Sequence, residues 1–274
     1  MIVKSDNKAT KLYENIEGVP NFKCDEFSER NTKYCLCIPI INEGERIKKE
    51  LERAKENGIN NIVDIIICDG GSSDGCTNHS TLKSLGVNAL LTKNDIGKQG
   101  AQLRMGFWWA LERGYEGVIT IDGNNKDSIE SVKLFIKKLE EGYDFIQGSR
   151  YVEGGQAINT PFIRHIAVNL IHAPIISLAA KFRFTDTTNA FRGYSKKYLT
   201  DNNVKPFRNI FMTYELLAYL SVRATQLGFK ACEIPVTRAY PKNEKTPTKI
   251  SPFRGNANLM NILFKTLVGR YNPN

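Results

Sequence analysis

The run IVDIIIC at residues 62–68, cut off at once by DGGSSDG at 69–75, constrains the fold more than any other stretch. Consecutive Ile65, Ile66 and Ile67 leave no face for water, so a strand of this make-up must be covered on both sides. Strands covered on both sides belong to parallel sheets with helices above and below. The loop that ends the run is built of Gly, Ser and Asp, which is turn chemistry by composition.

The same alternation recurs along the first half. Residues 34–41 (YCLCIPII) predict a strand, followed by a charged amphipathic helix over 43–57. A weaker strand over 88–91 and a helix over 97–112 come next. A strand over 118–121, a helix over 128–140 capped early by Ser128, and a strand over 145–148 complete the series. Repeated β-α-β units of this length predict an α/β fold, a mostly parallel sheet with helices on both faces.

The flanks read differently. Residues 1–33 are polar without sustained periodicity, an extension packed on the domain or partly loose. Residues 162–182 predict a helix apolar on more than one face and interrupted by Pro174. Its low sidedness favours core packing over a place on a membrane. Strands over 190–194 and 231–238, a helix over 214–227, a Lys/Thr/Pro-rich loop over 240–252 and an amphipathic helix over 256–268 close the chain.

Composition narrows the function. At 274 residues, 41% hydrophobic and 24% charged, the chain has an ordinary globular make-up, which argues against disordered and disulfide-scaffold classes. The start MIVKSDNKATK has no apolar core of the secretory type, and no uninterrupted apolar run of about 18 residues occurs. A cytoplasmic chain is expected. Cys24, Cys35, Cys37, Cys68, Cys76 and Cys232 form no CxxC, so reduced, mostly buried thiols are expected. His79, His165 and His172 are scattered. Net charge is +9, and residues 230–274 carry eight Lys and Arg against two Glu. Such an end suits substrate phosphates or an anionic membrane surface, on which the chain would sit peripherally. Nucleic acid is the weakest partner, because the basic end lacks the regular aromatic interleaving expected of a single-strand platform.

In an open parallel sheet, ligands bind beyond the carboxyl ends of the strands. There lie Asn42-Glu43, Asp69–Gly75, Asp122–Asn125 and Ser149-Arg150, four polar loops on one edge. No GxGxxG opens the first helix and no GxxxxGK[ST] is present, so dinucleotide and P-loop sites are excluded.

CIPIINEGERI, IIICDGGSSDG, GKQGAQLRMG, TIDGNNKDS, FIQGSRYVEGG, DTTNAFRGYSKKYL and KACEIPVTRAYPK follow one another in the order seen in family 2 glycosyltransferases. The chain resembles most the dolichyl-phosphate mannose synthase and polyprenyl-phosphate glycosyltransferase branch. The resemblance implies a GT-A domain over 34–251, with 1–33 an N-terminal extension and 252–274 a basic amphipathic tail. It implies transfer of a sugar from a UDP- or GDP-sugar to a polyprenyl-phosphate or glycan acceptor, with inversion. Pro39, Asn42, Glu43, Asp69, Ser72, Lys98 and Asp122 would line the nucleotide pocket, the carboxylates accepting from base N–H and ribose hydroxyls.

The metal is left open. Asp122 matches the first carboxylate of the family's Asp-x-Asp, Asn124 replaces the second, and Lys126 stands where Gln is common. Mg²⁺ and Mn²⁺ prefer carboxylate oxygens, so a site on Asp122 and Asn124 is weakened, and an ammonium could supply part of the charge instead. Arg150, Arg238 and Lys249 are expected to stabilise the leaving diphosphate, with Arg192 structural. A phosphate acceptor needs no base; a hydroxyl of a surface polysaccharide would, and Asp186 or Glu215 would serve. A sugar-nucleotide-binding protein that has lost catalysis is the reading from another class, supported by the altered Asp-Gly-Asn.

Overall fold

The structure, a computed structural model, describes residues 10–242 and 254–273. Two strands open it that periodicity did not predict, β1 (Lys11–Tyr13) and β2 (Phe22–Glu26). β2 buries Phe22 and Cys24 and turns Lys23 outward, an alternation too short to stand out in sequence. Both pair antiparallel on the sheet edge, so part of the polar extension is built into the fold.

The core strands are β3 (Tyr34–Ile40), β4 (Asp64–Asp69), β5 (Val87–Lys93) and β6 (Gly117–Thr120), mutually parallel. Every residue of β3 and β4 is buried, as the unbroken apolar runs require. Helices α1 (Glu45–Glu56) and α2 (His79–Ser84) cover one face. α3 (Gln99–Glu112) lies on the other, where Gly106 lets it close on the sheet: a Cβ there would meet Cys68 Sγ at 2.6 Å. Burying a side chain such as Leu103 of α3, fully enclosed, contributes about 2 kcal/mol.

Beyond β6 the order departs from a simple parallel series. α4 (Val132–Glu140) leads into β7 (Phe145–Ser149), and β8 (Gln156–Ile158) follows. β9 (Arg192–Ser195), followed by α7 (Lys196–Leu199), inserts antiparallel between β6 and β7. The nine strands therefore run β1-β2-β5-β4-β3-β6-β9-β7-β10, with β10 (Ala231–Pro235) parallel to β7. The predicted strand 231–238 is really two, because β11 (Thr237–Ala239) leaves the sheet to pair with β8. Ser128 does not cap α4, which is preceded by a 3₁₀ turn; its hydroxyl meets Ser131 Oγ at 2.8 Å and accepts from Thr237 N at 2.9 Å.

The predicted helix over 162–182 is present as α5 (Phe162–Ala167), a π turn (Val168–His172) and α6 (Ala173–Ala180). The wide turn lies just before Pro174, whose ring and missing N–H do not fit a regular helix interior. Core packing, however, is not its fate. Val168, Ala173, Ile176 and Ala180 are buried, whereas Phe162, Ile163, Leu170 and Leu178 are 76%, 82%, 72% and 70% exposed. Among the described residues this is a helix long and apolar enough to cross a membrane by length and composition. α8 (Glu215–Gln226) and α9 (Arg254–Leu267) pack on α6, α9 through Ile262 and Leu263. All six cysteines are free, four of them fully enclosed.

Candidate active site

The carboxyl ends of β3 and β4 are clasped together by their own loops. Asn42 takes a left-handed conformation (φ 49°), which Asn tolerates better than most residues. Its N–H donates to Ser72 Oγ at 2.9 Å, and Ser73 N donates to Asn42 Oδ1 at 2.8 Å. Asp69, 1% exposed, accepts from Gly71 N at 3.0 Å, Ser72 N at 3.0 Å and Ser72 Oγ at 2.5 Å. Its carboxylate thus organises the DGGSS turn. Glu43 accepts from Arg46 Nε at 2.9 Å, and Pro39 is buried within β3 opposite Cys68. Lys98 precedes α3 with its side chain exposed, its N–H donating to Met212 O at 2.7 Å.

The loop after β6 is pressed onto β3: a Cβ on Gly123 would come within 2.5 Å of Ile40. Only Gly fits. Asp122 Oδ1 accepts from Gln99 Nε2 at 2.9 Å, and Oδ2 accepts from Arg238 Nη2 at 3.0 Å and Asn124 Nδ2 at 3.4 Å. Asn124 Oδ1 is buried without a hydrogen-bond partner among the described residues. Beneath the loop, Glu50 of α1 is fully enclosed, its Oε2 accepting from Asn125 N at 2.8 Å. Burial pushes the Glu50 carboxyl well above its ordinary pKa.

β11 is sewn to this loop, since Ala239 N donates to Lys126 O at 2.8 Å and Ser128 N to Thr237 O at 2.9 Å. That stitching delivers Arg238, 7% exposed, to both Asp122 and Asp127. Burial works against the Arg238 charge, but Asp127 and Asp122 outweigh it and hold the guanidinium protonated well above its ordinary value. Asp127 is fully enclosed, and burial raises its pKa to about 6 despite Arg238.

Arg150 and Asp186 form a buried bidentate pair, Nε to Oδ2 at 2.6 Å and Nη2 to Oδ1 at 2.9 Å. Arg150 N also donates to Asp186 Oδ2 at 3.2 Å, and Glu233 accepts from Asp186 N at 3.1 Å. Asp186, 0% exposed and bonded through both oxygens, holds Arg150 and is not placed to take a proton from an acceptor hydroxyl. Glu215 is engaged at the start of α8, accepting from Thr213 N at 2.6 Å and Thr213 Oγ1 at 2.8 Å. Arg192 is structural, donating to the carbonyls of Asn189, Thr187 and Leu217. Lys249 lies outside the described residues.

Sequence reasoning missed a group that completes the edge. Tyr240 lies among Lys126, Arg164 and Arg238, whose cationic groups are 5.1, 5.5 and 5.9 Å from its ring centroid. Arg164 Nη1 donates to the Tyr240 hydroxyl at 2.7 Å. Burial raises the Tyr240 pKa, but Arg238 and Arg164 outweigh it and leave it below the ordinary value. The signal was Arg164 itself, the one Arg in the apolar run over 162–180.

Residues 35–202 match the family described as Glycosyl transferase family 2. A polyprenol monophosphomannose synthase from Mycolicibacterium smegmatis is 25% identical over 237 residues, covering 84% of each chain. An undecaprenyl-phosphate mannosyltransferase from Micrococcus luteus is 25% identical over 73% of this chain and 81% of its own. Among solved structures, glucosyl-3-phosphoglycerate synthase from Mycobacterium tuberculosis with UDP superposes with a TM-score of 0.63 at 14% identity, covering 88% of this chain and 81% of that one. That likeness concerns the fold, a GT-A sheet whose ligand edge carries the loops described above. The chain belongs to glycosyl transferase family 2 and is a nucleotide-sugar-dependent glycosyltransferase.

Proposed function

We propose that the chain transfers a sugar from a nucleoside-diphosphate sugar to a polyprenyl phosphate at the cytoplasmic face of a membrane, inverting the anomeric carbon. The carrying observation is Arg164, which turns into the cation cluster at Tyr240 while its neighbours Phe162 and Ile163 stay exposed. One helix thus joins a phosphate-seeking charge to a lipid-seeking surface. The relatives, a polyprenol monophosphomannose synthase and an undecaprenyl-phosphate mannosyltransferase, support the same acceptor. A cavity of about 440 Å³ adjoins the site, its apolar wall formed by Tyr151, Ala173, Pro174 and Phe184 and its polar wall by Asn169 and Arg183. Its partly apolar wall suits the first isoprene units.

In this reading the domain spans 34–251, and Pro39, Asn42, Glu43, Asp69, Ser72, Lys98 and Asp122 shape the nucleotide pocket, several of them by fixing its loops. Arg150, Arg238 and Lys249 act on the charge that gathers on the leaving diphosphate. The acceptor phosphate is already anionic and attacks without a general base. The engagement of Asp186 and Glu215 in other bonds favours this acceptor over a polysaccharide hydroxyl.

With a panel of UDP- and GDP-hexoses, undecaprenyl phosphate in detergent should become labelled with sugar, and undecaprenol should not. Label passing to the free alcohol or to soluble glycans alone would refute a phosphate acceptor. The membrane part has its own readout. The Leu170→Asp/Leu178→Asp variant should float with phosphatidylglycerol vesicles at least about tenfold less than the parent, since two exposed leucines lose an apolar partner. Equal flotation of parent and variant would remove the helix from the membrane contact.

A further inference from the structure

We infer that this glycosyltransferase uses its own Lys126 and Arg238, in place of a divalent cation, to hold the donor diphosphate. The inference rests on reading this edge as the donor site. Structural neighbours have been solved with UDP and Mn²⁺ or Mg²⁺, so a metal is what the fold implies and the residues present must be tested against it.

They do not fit one. Asp122, 23% exposed, already accepts N–H bonds at both its oxygens, one from a guanidinium. Asn124 offers a single neutral amide oxygen, Oδ1, buried and unpartnered among the described residues. Asp127 is turned inward onto Arg238, and Glu50 is enclosed beneath the loop with an oxygen on Asn125 N. No group of three or more His, Cys, Asp or Glu that could hold a metal ion occurs among the described residues. A hard dication at a diphosphate takes most of its oxygens from phosphate and water but still needs a free carboxylate or two from the protein, and here Asp122 is already held by a guanidinium while Asn124 adds only a neutral amide.

The loop holds cations instead. Lys126, 5% exposed, lies against the Tyr240 ring with Arg164 and Arg238 around the same ring. Asp122 and Asp127 both pair with Arg238, so a dication brought to Asp122 would meet the guanidinium already there. Adding a dication would set like charge against like charge in a site largely shielded from water. Adding a diphosphate would complete it. Arg238, tied to two carboxylates, is already fixed in position, the condition under which a cation stabilises developing charge with little reorganisation. The orphan Asn124 oxygen is an acceptor that a donor hydroxyl could satisfy.

The test is calorimetry of UDP and GDP binding to the full chain, in chelator and in Mn²⁺ at matched ionic strength. Electron paramagnetic resonance of free Mn²⁺ runs alongside it. Affinity for the preferred nucleotide should agree within about threefold between the two conditions, and the chain should add no Mn²⁺ binding beyond that of the nucleotide. Lys126→Gln should weaken nucleotide binding in chelator about tenfold or more, and Lys126→Arg should restore most of it. Asn124→Asp/Lys126→Gln should bind Mn²⁺ and depend on it for nucleotide. Binding by the parent that needs Mn²⁺ and consumes the free Mn²⁺ signal would overturn the inference while leaving the donor site in place. No nucleotide binding under either condition would overturn the donor site, and the inference with it.

Discussion

Replacing Arg150 with Met should cost about 3–5 kcal/mol of folding stability, read as a lower urea midpoint at unchanged slope. Arg150 is 3% exposed and Asp186 0%, so the substitution strands a carboxylate with no water to take the place of the guanidinium. The three remaining partners, Arg150 N at 3.2 Å and Thr188 N and Oγ1 both at 3.3 Å, are too long to replace a charged bidentate pair. Arg150→Met/Asp186→Leu removes both charges and should recover most of the loss, because the desolvation penalty disappears with them. This double variant separates scaffold from chemistry. Arg150 stands over Tyr151, which lines the cavity beside the site, so turnover should stay at least about a hundredfold down even when stability returns, about 2.7 kcal/mol of barrier. Turnover that returns together with stability would assign Arg150 to the scaffold alone.

The fold was legible wherever burial was total. DIIICD of β4 and YCLCIPI of β3 admit no reading but an enclosed strand, and the polar loops after them announce the ligand edge. β1 and β2 were illegible because strands of three and five residues on an edge carry too little periodicity. Low sidedness misleads over residues 162–182: a helix apolar on more than one face reads as core, yet the protein buries a narrow stripe of it and leaves the rest facing out. In the site, Asp69 was recognised as important, but its acceptance from the N–H groups two and three residues on is a local habit of Asp before Gly and Ser. The contact of Arg238 with Asp122 spans 116 positions, and no local pattern encodes it. The sequence could flag both residues as charged and near a ligand edge. Only the crossover of β11 to β8 shows that they meet.

Arg238→Met should lower turnover about a thousandfold, near 4 kcal/mol of barrier, while leaving a protein that folds. Among the described residues the side chain is the one cation tied at once to Asp122 and Asp127, so its loss removes positive charge and leaves the Asp122 carboxylate facing the place where diphosphate charge would gather. Repulsion then replaces attraction, and the loss should exceed that from removing a cation alone. The pH dependence identifies the cause. Folded Asp127 keeps its proton to about pH 6, against an ordinary value of 3.8, because burial outweighs Arg238. The folded state therefore binds more protons than the unfolded chain between these values, and stability falls as pH rises through that window. Without Arg238, burial acts unopposed by its main partner, the folded value climbs further, and the fall should extend toward neutral pH. Arg238→Met/Asp127→Asn removes the Asp127 share of the fall between pH 4 and 7, so its profile should be less steep than that of Arg238→Met, yet it cannot return the missing cation to the diphosphate. A shallower stability profile with turnover still about a thousandfold down is the expected result. Recovery of turnover in that double variant would mean that Arg238 serves only to neutralise Asp127.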